Sequence, residues 1–187
     1  MMKANLRTKY KALRSDLSID TIETHSLDIA NKLLDLDIWN KSYYHLFLSI
    51  IDHKEIQTEY LLHILHAKDK DIIISKSNFK TQELTNYLLT DNTIIIKNSW
   101  GIPEPIDGIE VNNSKIDVVF VPLLAFDKQG HRVGYGKGFY DNFLSACNPE
   151  TIKIGLSFFE AETCIEGIIE SDVPLDYCVT PKTIYKF

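Results

Sequence analysis

The sequence predicts an α/β protein: a single-domain layered fold with a largely parallel central sheet flanked by helices. Three observations carry this expectation. Apolar, β-branched runs such as Ile116, Val118, Val119, Phe120 and Val121 have the length of strands buried on both faces, the habit of a parallel sheet. Such runs alternate with amphipathic helical patterns, as βαβ units do. Finally, 187 residues favour one domain, 1–187. A chain of that length buries about 70% of its unfolded surface without needing disulfide or metal staples.

Residues 1–100 hold no glycine or proline; all eight glycines and all six prolines follow Trp100. Plain helices and strands are therefore expected first, with turns made by Asp, Asn, Ser and Lys. Leu6, Tyr10, Leu13 and Leu17 recur at helical spacing, with Lys3, Arg7, Lys11 and Arg14 in basic rows beside them. Such rows are ordinarily a solvated face. A second helix runs through Ile22, Ile29, Ala30, Leu33 and Leu34, with Asp20 as its N-cap. Residues 43–51 read as a buried strand, and Thr58 caps a third helix through Leu61, Leu62 and Leu65. Glu55, between them, reads by position as a cap or a solvated acid. Further β segments are expected at 71–75, 84–89 and 93–96. Trp100-Gly101-Ile102-Pro103-Glu104-Pro105 is stiffened by its prolines, and is either a rigid turn or the wall of a pocket for a flat ligand. A strand from Ile116, a short helix from Phe139, a strand at 152–158 and β segments at 177–180 and 184–187 complete the order.

Composition excludes several classes. With 44% hydrophobic and 25% charged residues the chain is of ordinary globular type, and its net charge of −6 argues against nucleic acid or a membrane surface as partner. Cys147, Cys164 and Cys178 are odd in number and form no C-x-x-C pair, so free thiols in a reducing compartment are expected. The N-terminal residues carry no apolar leader, and no run approaches the ~18–20 residues of a membrane span. A cytoplasmic location is the expectation. His45, His53, His63 and His66 lack the carboxylates or thiolates that would complete a metal site.

The chemistry concentrates at Gly134-Tyr135-Gly136-Lys137-Gly138, where three of the eight glycines fall within five residues. Placed between a strand and a helix, such a run lets the backbone approach a ligand, and its N–H groups with the helix N-terminus can cradle an anion. Arg132 and Lys137 add two full charges, so a phosphate is the natural guest. On the glycines alone, a tight strand-to-helix connection fits equally well. The run is not a Walker A loop, which ends in Gly-Lys-Ser/Thr, nor a Rossmann fingerprint, whose third glycine comes later. The whole run from Phe126-Asp127-Lys128 through Gly130, Arg132 and the glycines to Phe139-Tyr140-Asp141 resembles the signature of the 5-formyltetrahydrofolate cyclo-ligase family, also called 5,10-methenyltetrahydrofolate synthetases.

That resemblance extends from Lys3 to Asp176 and implies a set of roles. ATP would be held by Lys3, Arg7 and the segment Arg132, Val133, Gly134, Tyr135, Gly136, Lys137, Gly138, Phe139 and Tyr140, with Arg132 and Lys137 as the catalytic cations. The substrate, 5-formyltetrahydrofolate, would meet Leu48, Glu55, Trp100, Tyr135 and Phe139, the Glu55 carboxylate recognising the pterin. Mg²⁺ would sit on Asp141 and Asp176. The implied reaction is ATP-dependent cyclisation to 5,10-methenyltetrahydrofolate. Asp141 has a simpler reading as an acid in a helix's first turn. A small-molecule kinase and a non-catalytic nucleotide- or folate-binding module are the rival classes. Relatives commonly carry Gln where this chain has Glu160-Ala161-Glu162. Oligomeric state and preference for polyglutamylated folate stay open.

Overall fold

The computed structural model describes residues 1–187. Four helices and eleven strands follow in order: α1 Lys3–Ser15, α2 Ile19–Leu33, β1 Tyr43–His45, α3 Glu59–Ala67, β2 Asp71–Asn78, β3 Glu83–Leu88, β4 Ile95–Lys97, β5 Pro103–Pro105, β6 Val118–Pro122, β7 Ala125–Phe126, β8 Arg132–Val133, α4 Phe139–Ser145, β9 Ile152–Leu156, β10 Tyr177–Val179 and β11 Ile184–Lys186. Seven strands form one sheet in the order β11-β10-β9-β6-β1-β2-β3. Its five central strands are parallel and its two edge strands antiparallel, as predicted for a largely parallel sheet.

The alternation of side chains along β6 divides the core. Val118 and Phe120 face the layer that contains Ile29 and Leu33 of α2 and Leu61 and Leu65 of α3. Val119 and Val121 face the opposite layer, with Phe126 and with Phe143 and Leu144 of α4. With all four β6 side chains fully buried, the strand stabilises both layers by roughly 1.5–3 kcal/mol per residue. Helix α1 lies apart from this sandwich. It turns Leu6 and Tyr10 onto the β7–β8 hairpin, against Leu124, Ala125 and Val133. On the same face Arg14 is buried, whereas Leu13, expected inside, is 39% exposed.

Three local expectations need correction. The cap of α2 is Ser18, whose Oγ accepts the Thr21 N–H at 3.1 Å; Asp20 lies inside the first turn. The strand expected over residues 43–51 stops at His45. Beyond Leu46 the backbone leaves the sheet, because side chains take its polar groups: Thr58 Oγ1 donates to the Phe47 carbonyl and Glu55 accepts the Ile50 N–H. Thr58, engaged there, makes no cap bond to α3. The stiff Pro103–Pro105 segment pairs with Ile95–Lys97 as a two-stranded ribbon.

Ser18→Ala is expected to lower stability by about 1 kcal/mol. Asp20→Ala should cost only the ~0.3 kcal/mol of a first-turn acid. Urea melts of both variants check the order.

Candidate active site

The sheet changes its direction of winding between β1 and β6: β2 follows on one side of β1, whereas β6, β9 and β10 follow on the other. In parallel sheets ligands bind in the crevice at such a switch point, beyond the carboxyl ends of the strands. A cavity of about 420 Å³ opens there, between Phe47 and Leu48 after β1 and Pro122 at the end of β6.

The glycine run lines the cavity. The run does not follow β6 directly, as a plain strand-to-helix junction would; the β7–β8 hairpin intervenes. Buried Asp127 closes the hairpin turn by accepting the N–H groups of Gln129 and His131, and also that of Ile165. Gly136 and Gly138 adopt φ of +90° and +77°, a region costly for other residues. Arg7 of α1 fastens the run: its Nε donates to the Gly134 carbonyl at 3.0 Å, and a Cβ on Gly136 would lie 3.0 Å from that same Nε. Gly134, by contrast, faces open space.

The expected nucleotide residues Lys3, Arg7, Arg132, Gly134, Tyr135, Gly136, Lys137, Gly138, Phe139 and Tyr140 all line the cavity. Val133 does not; its side chain is buried under α1 and only its backbone serves the hairpin. Lys137 is exposed and makes no ion pair, so its charge is available to a ligand. Arg132 is buried and already engaged, donating to Asp141 Oδ1 at 2.7 Å and to the Val173 carbonyl. Burial pulls its pKa down while Asp141 opposes the shift.

The expected metal pair is not brought together. Asp176 stands at the start of β10, away from the cavity, where its carboxylate accepts from the Lys153 backbone N–H at 2.7 Å and pairs with Lys153 Nζ at 2.8 Å. Four residues earlier, Asp172 lines the cavity with Asp141 and is ion-paired with Lys3. Asp141 accepts from Arg132 and Val173 through Oδ1, and Asp172 from Lys3 and Ile169 through Oδ2. One oxygen of each carboxylate is thus without a partner. No group of three or more His, Cys, Asp or Glu comes together; two carboxylate oxygens beside the glycine loop would suit Mg²⁺, which takes one or two carboxylates and completes its shell with phosphate and water oxygens.

The expected substrate residues Leu48, Glu55, Trp100, Tyr135 and Phe139 line the same cavity. Glu55 is 6% exposed; Oε2 accepts the Ile50 N–H at 2.9 Å and Oε1 the Tyr135 hydroxyl. Trp100, 64% exposed, stacks on Phe79 at 5.4 Å, and Phe79 meets the Phe139 ring edge-on at 5.1 Å. These three rings form an aromatic wall for a flat ligand. Glu104 holds the ribbon under that wall, bonding the Ser77 N–H and Asn98. The departure at Glu160-Ala161-Glu162 is structural: Glu160 accepts from Thr180 and Tyr185, and Glu162 from Lys9 and Tyr10. Neither lines the cavity.

Sequence reading missed Asp172, Phe79 and His45, which line the cavity, and Arg14, which lies behind it and bonds the Tyr135 hydroxyl. Phe79 had no local signal, and Asp172 was visible only as the first acid of Asp172-x-x-x-Asp176. His45 is fully buried; its Nε2 lies 2.7 Å from Ser75 Oγ, which donates to Asn86 Oδ1. The ring therefore donates from Nε2 and is neutral, burial pulling its pKa down to about 3. Since the folded value lies below the unfolded ~6.5, this site's stability contribution is complete above pH 6.5 and is lost as pH falls, by at most ~1.4 kcal/mol per pH unit. His45→Gln is expected to flatten the stability profile between pH 5 and 6.5, measured by urea melts.

At the loop, Gly136→Ala is expected to cost ~1–3 kcal/mol of stability through positive φ and the contact with Arg7. Gly134→Ala should leave the melting temperature unchanged and weaken ATP binding, because its methyl enters the space left for the ligand. Thermal melts with and without ATP check both.

Fold and cavity together define the class: an α/β protein with a crevice at the switch point of a parallel sheet, lined by a glycine-rich loop. The family model for the 5-formyltetrahydrofolate cyclo-ligases matches residues 1–181. The chain belongs to the 5-formyltetrahydrofolate cyclo-ligase family, and is thus a ligase by kinship. The Mus musculus 5-formyltetrahydrofolate cyclo-ligase is 29% identical over 189 residues, covering 93% of this chain and 91% of its own. That of Haemophilus influenzae is 28% identical over 164 residues, covering 83% and 85%. Among solved structures, Aquifex aeolicus 5,10-methenyltetrahydrofolate synthetase superposes with a TM-score of 0.83 at 27% identity, over 98% of this chain and 92% of that one.

Proposed function

We propose that this chain, as one domain over 1–187, catalyses the ATP- and Mg²⁺-dependent cyclisation of 5-formyltetrahydrofolate to 5,10-methenyltetrahydrofolate, releasing ADP and phosphate in the cytoplasm. One observation carries the reading: a buried carboxylate, Glu55, and a glycine loop flanked by Lys3, Arg7 and Lys137 face the same cavity. The pterin offers a 2-amino group and a ring N–H in parallel, a match for one carboxylate. The polyphosphate matches the loop and its cations.

The chemistry follows from the poor leaving ability of a formamide oxygen. Transfer of the γ-phosphoryl group to that oxygen gives an imidate phosphate. The folate's N10 then attacks the activated carbon, and phosphate departs with the C–O bonding pair as N10 gives up its proton. Phosphoryl transfer asks for little covalent work from a protein, so positioning and charge neutralisation supply the rate. Lys3, Arg7 and Lys137 neutralise the polyphosphate, and Arg132 holds Asp141 in place. Glu55 and the wall of Trp100, Phe79 and Phe139 orient the folate and exclude water. Mg²⁺ held by Asp141 and Asp172 would add charge neutralisation at the phosphate oxygens.

The test is appearance of methenyltetrahydrofolate absorbance with 5-formyltetrahydrofolate, ATP and Mg²⁺; nucleotide hydrolysis that ignores folate would indicate a different ATP-using enzyme. Asp141→Asn and Asp172→Asn are each expected to lower turnover at least ~10²-fold, the equivalent of ~2.7 kcal/mol of transition-state stabilisation. Excess Mg²⁺ should restore part of it, and the double variant should lose little more than either single one. Asp176→Asn should keep the wild-type Mg²⁺ midpoint. Additive losses with an unchanged midpoint would rule out a shared metal site.

A further inference from the structure

Arg14 is a buried cation behind the cavity that the phosphate reading does not use; its Nε is buried without a partner, and its other two nitrogens are engaged. It is 7% exposed and lies on the buried face of α1, seven residues after Arg7. Its Nη2 donates to the Leu123 carbonyl at 2.6 Å and its Nη1 to the Tyr135 hydroxyl oxygen at 2.8 Å. The Tyr135 hydroxyl in turn bonds Glu55 Oε1, with Arg14 Nη1 itself 3.9 Å from that oxygen. The direction of this chain is fixed. A guanidinium has no acceptor, so Tyr135 must accept from Arg14 and donate to Glu55.

We infer that Arg14 is a positioning residue for folate recognition: acting through the Tyr135 hydroxyl, it orients the Glu55 carboxylate so that a pair of acceptor positions faces the ligand. The count of lone pairs supports this. An ionised carboxylate offers about four acceptor positions, two per oxygen. The Ile50 N–H occupies one on Oε2 and the Tyr135 O–H one on Oε1. One remains on each oxygen, a side-by-side pair suited to two parallel N–H donors. With both oxygens tethered, the carboxylate cannot rotate, and the donors meet it without an ordering cost. Leu123, which Arg14 also holds, directly follows the end of β6, so the guanidinium is anchored next to the sheet. This inference rests on the assignment of Glu55 to the folate.

The experiment measures the dissociation constant of 5-formyltetrahydrofolate by calorimetry for wild type, Glu55→Gln, Tyr135→Phe, Arg14→Met, Arg14→Lys and the double variant Arg14→Met/Tyr135→Phe. ATP affinity and melting temperature are measured on the same proteins. Tyr135→Phe and Arg14→Met are each expected to weaken folate binding ~10-fold or more. The double variant should match the weaker-binding single one, because either change breaks the same relay. Arg14→Lys, which keeps a donor, should recover part of the loss. Arg14→Met removes a buried cation and has its own folding risk; Tyr135→Phe removes one oxygen and tests the relay independently. If Glu55→Gln weakens folate binding while Tyr135→Phe does not, the relay is refuted and the Glu55 assignment stands. Should Glu55→Gln bind like wild type, the assignment falls and takes the relay with it. Losses that track the melting temperature and add in the double variant would make Arg14 a purely structural residue.

Discussion

The grip of α1 on the glycine run is the interaction on which the site depends. Two arginines two turns apart make it: Arg7 holds the Gly134 carbonyl and Arg14 the Tyr135 hydroxyl. A run with three glycines has little conformational preference of its own, and the backbone entropy of ordering it, roughly 1–2 kcal/mol per residue, must be met by contacts from outside. Helix α1 supplies those contacts because Leu6 and Tyr10 fasten it to the hairpin that begins the run. The helix that carries the cations is thus seated by the same segment whose loop it shapes.

That hairpin also accounts for where the cavity lies. β6 is buried on both faces and cannot itself turn toward a ligand without exposing its layers. The chain instead leaves β6 at Pro122, runs out through β7 and β8, and returns above the crevice between β1 and β6. On the other side of the crevice, residues after β1 leave the sheet early because Thr58 and Glu55 satisfy their backbone. One carboxylate therefore both ends a strand's extension and faces the cavity, which explains its burial in a segment that sequence alone reads as a cap.

Much of the fold was legible. Periodicity located each helix and each strand of the main sheet, because apolar spacing reports directly which side chains must leave water. The misplacements share a cause. Asp20 for Ser18, Thr58 as a cap and the long strand after Tyr43 all turn on whether a side-chain oxygen or a neighbouring strand takes a given N–H or carbonyl, and that choice is made in three dimensions.

By itself the sequence determined the α/β class, the glycine run with its flanking cations, and, through the long motif from Phe126 to Asp141, the family. These are statements about residue type and local spacing, which a chain carries before it folds. Only the tertiary structure decided which of two aspartates four residues apart meets the cavity, with Asp172 taken by Lys3 and Asp176 by Lys153. It alone also turned Arg14 inward, more than a hundred residues from the tyrosine it holds. Charges that pair across such distances leave no periodic trace in a sequence, because their partners are set by the packing of elements and not by spacing along the chain.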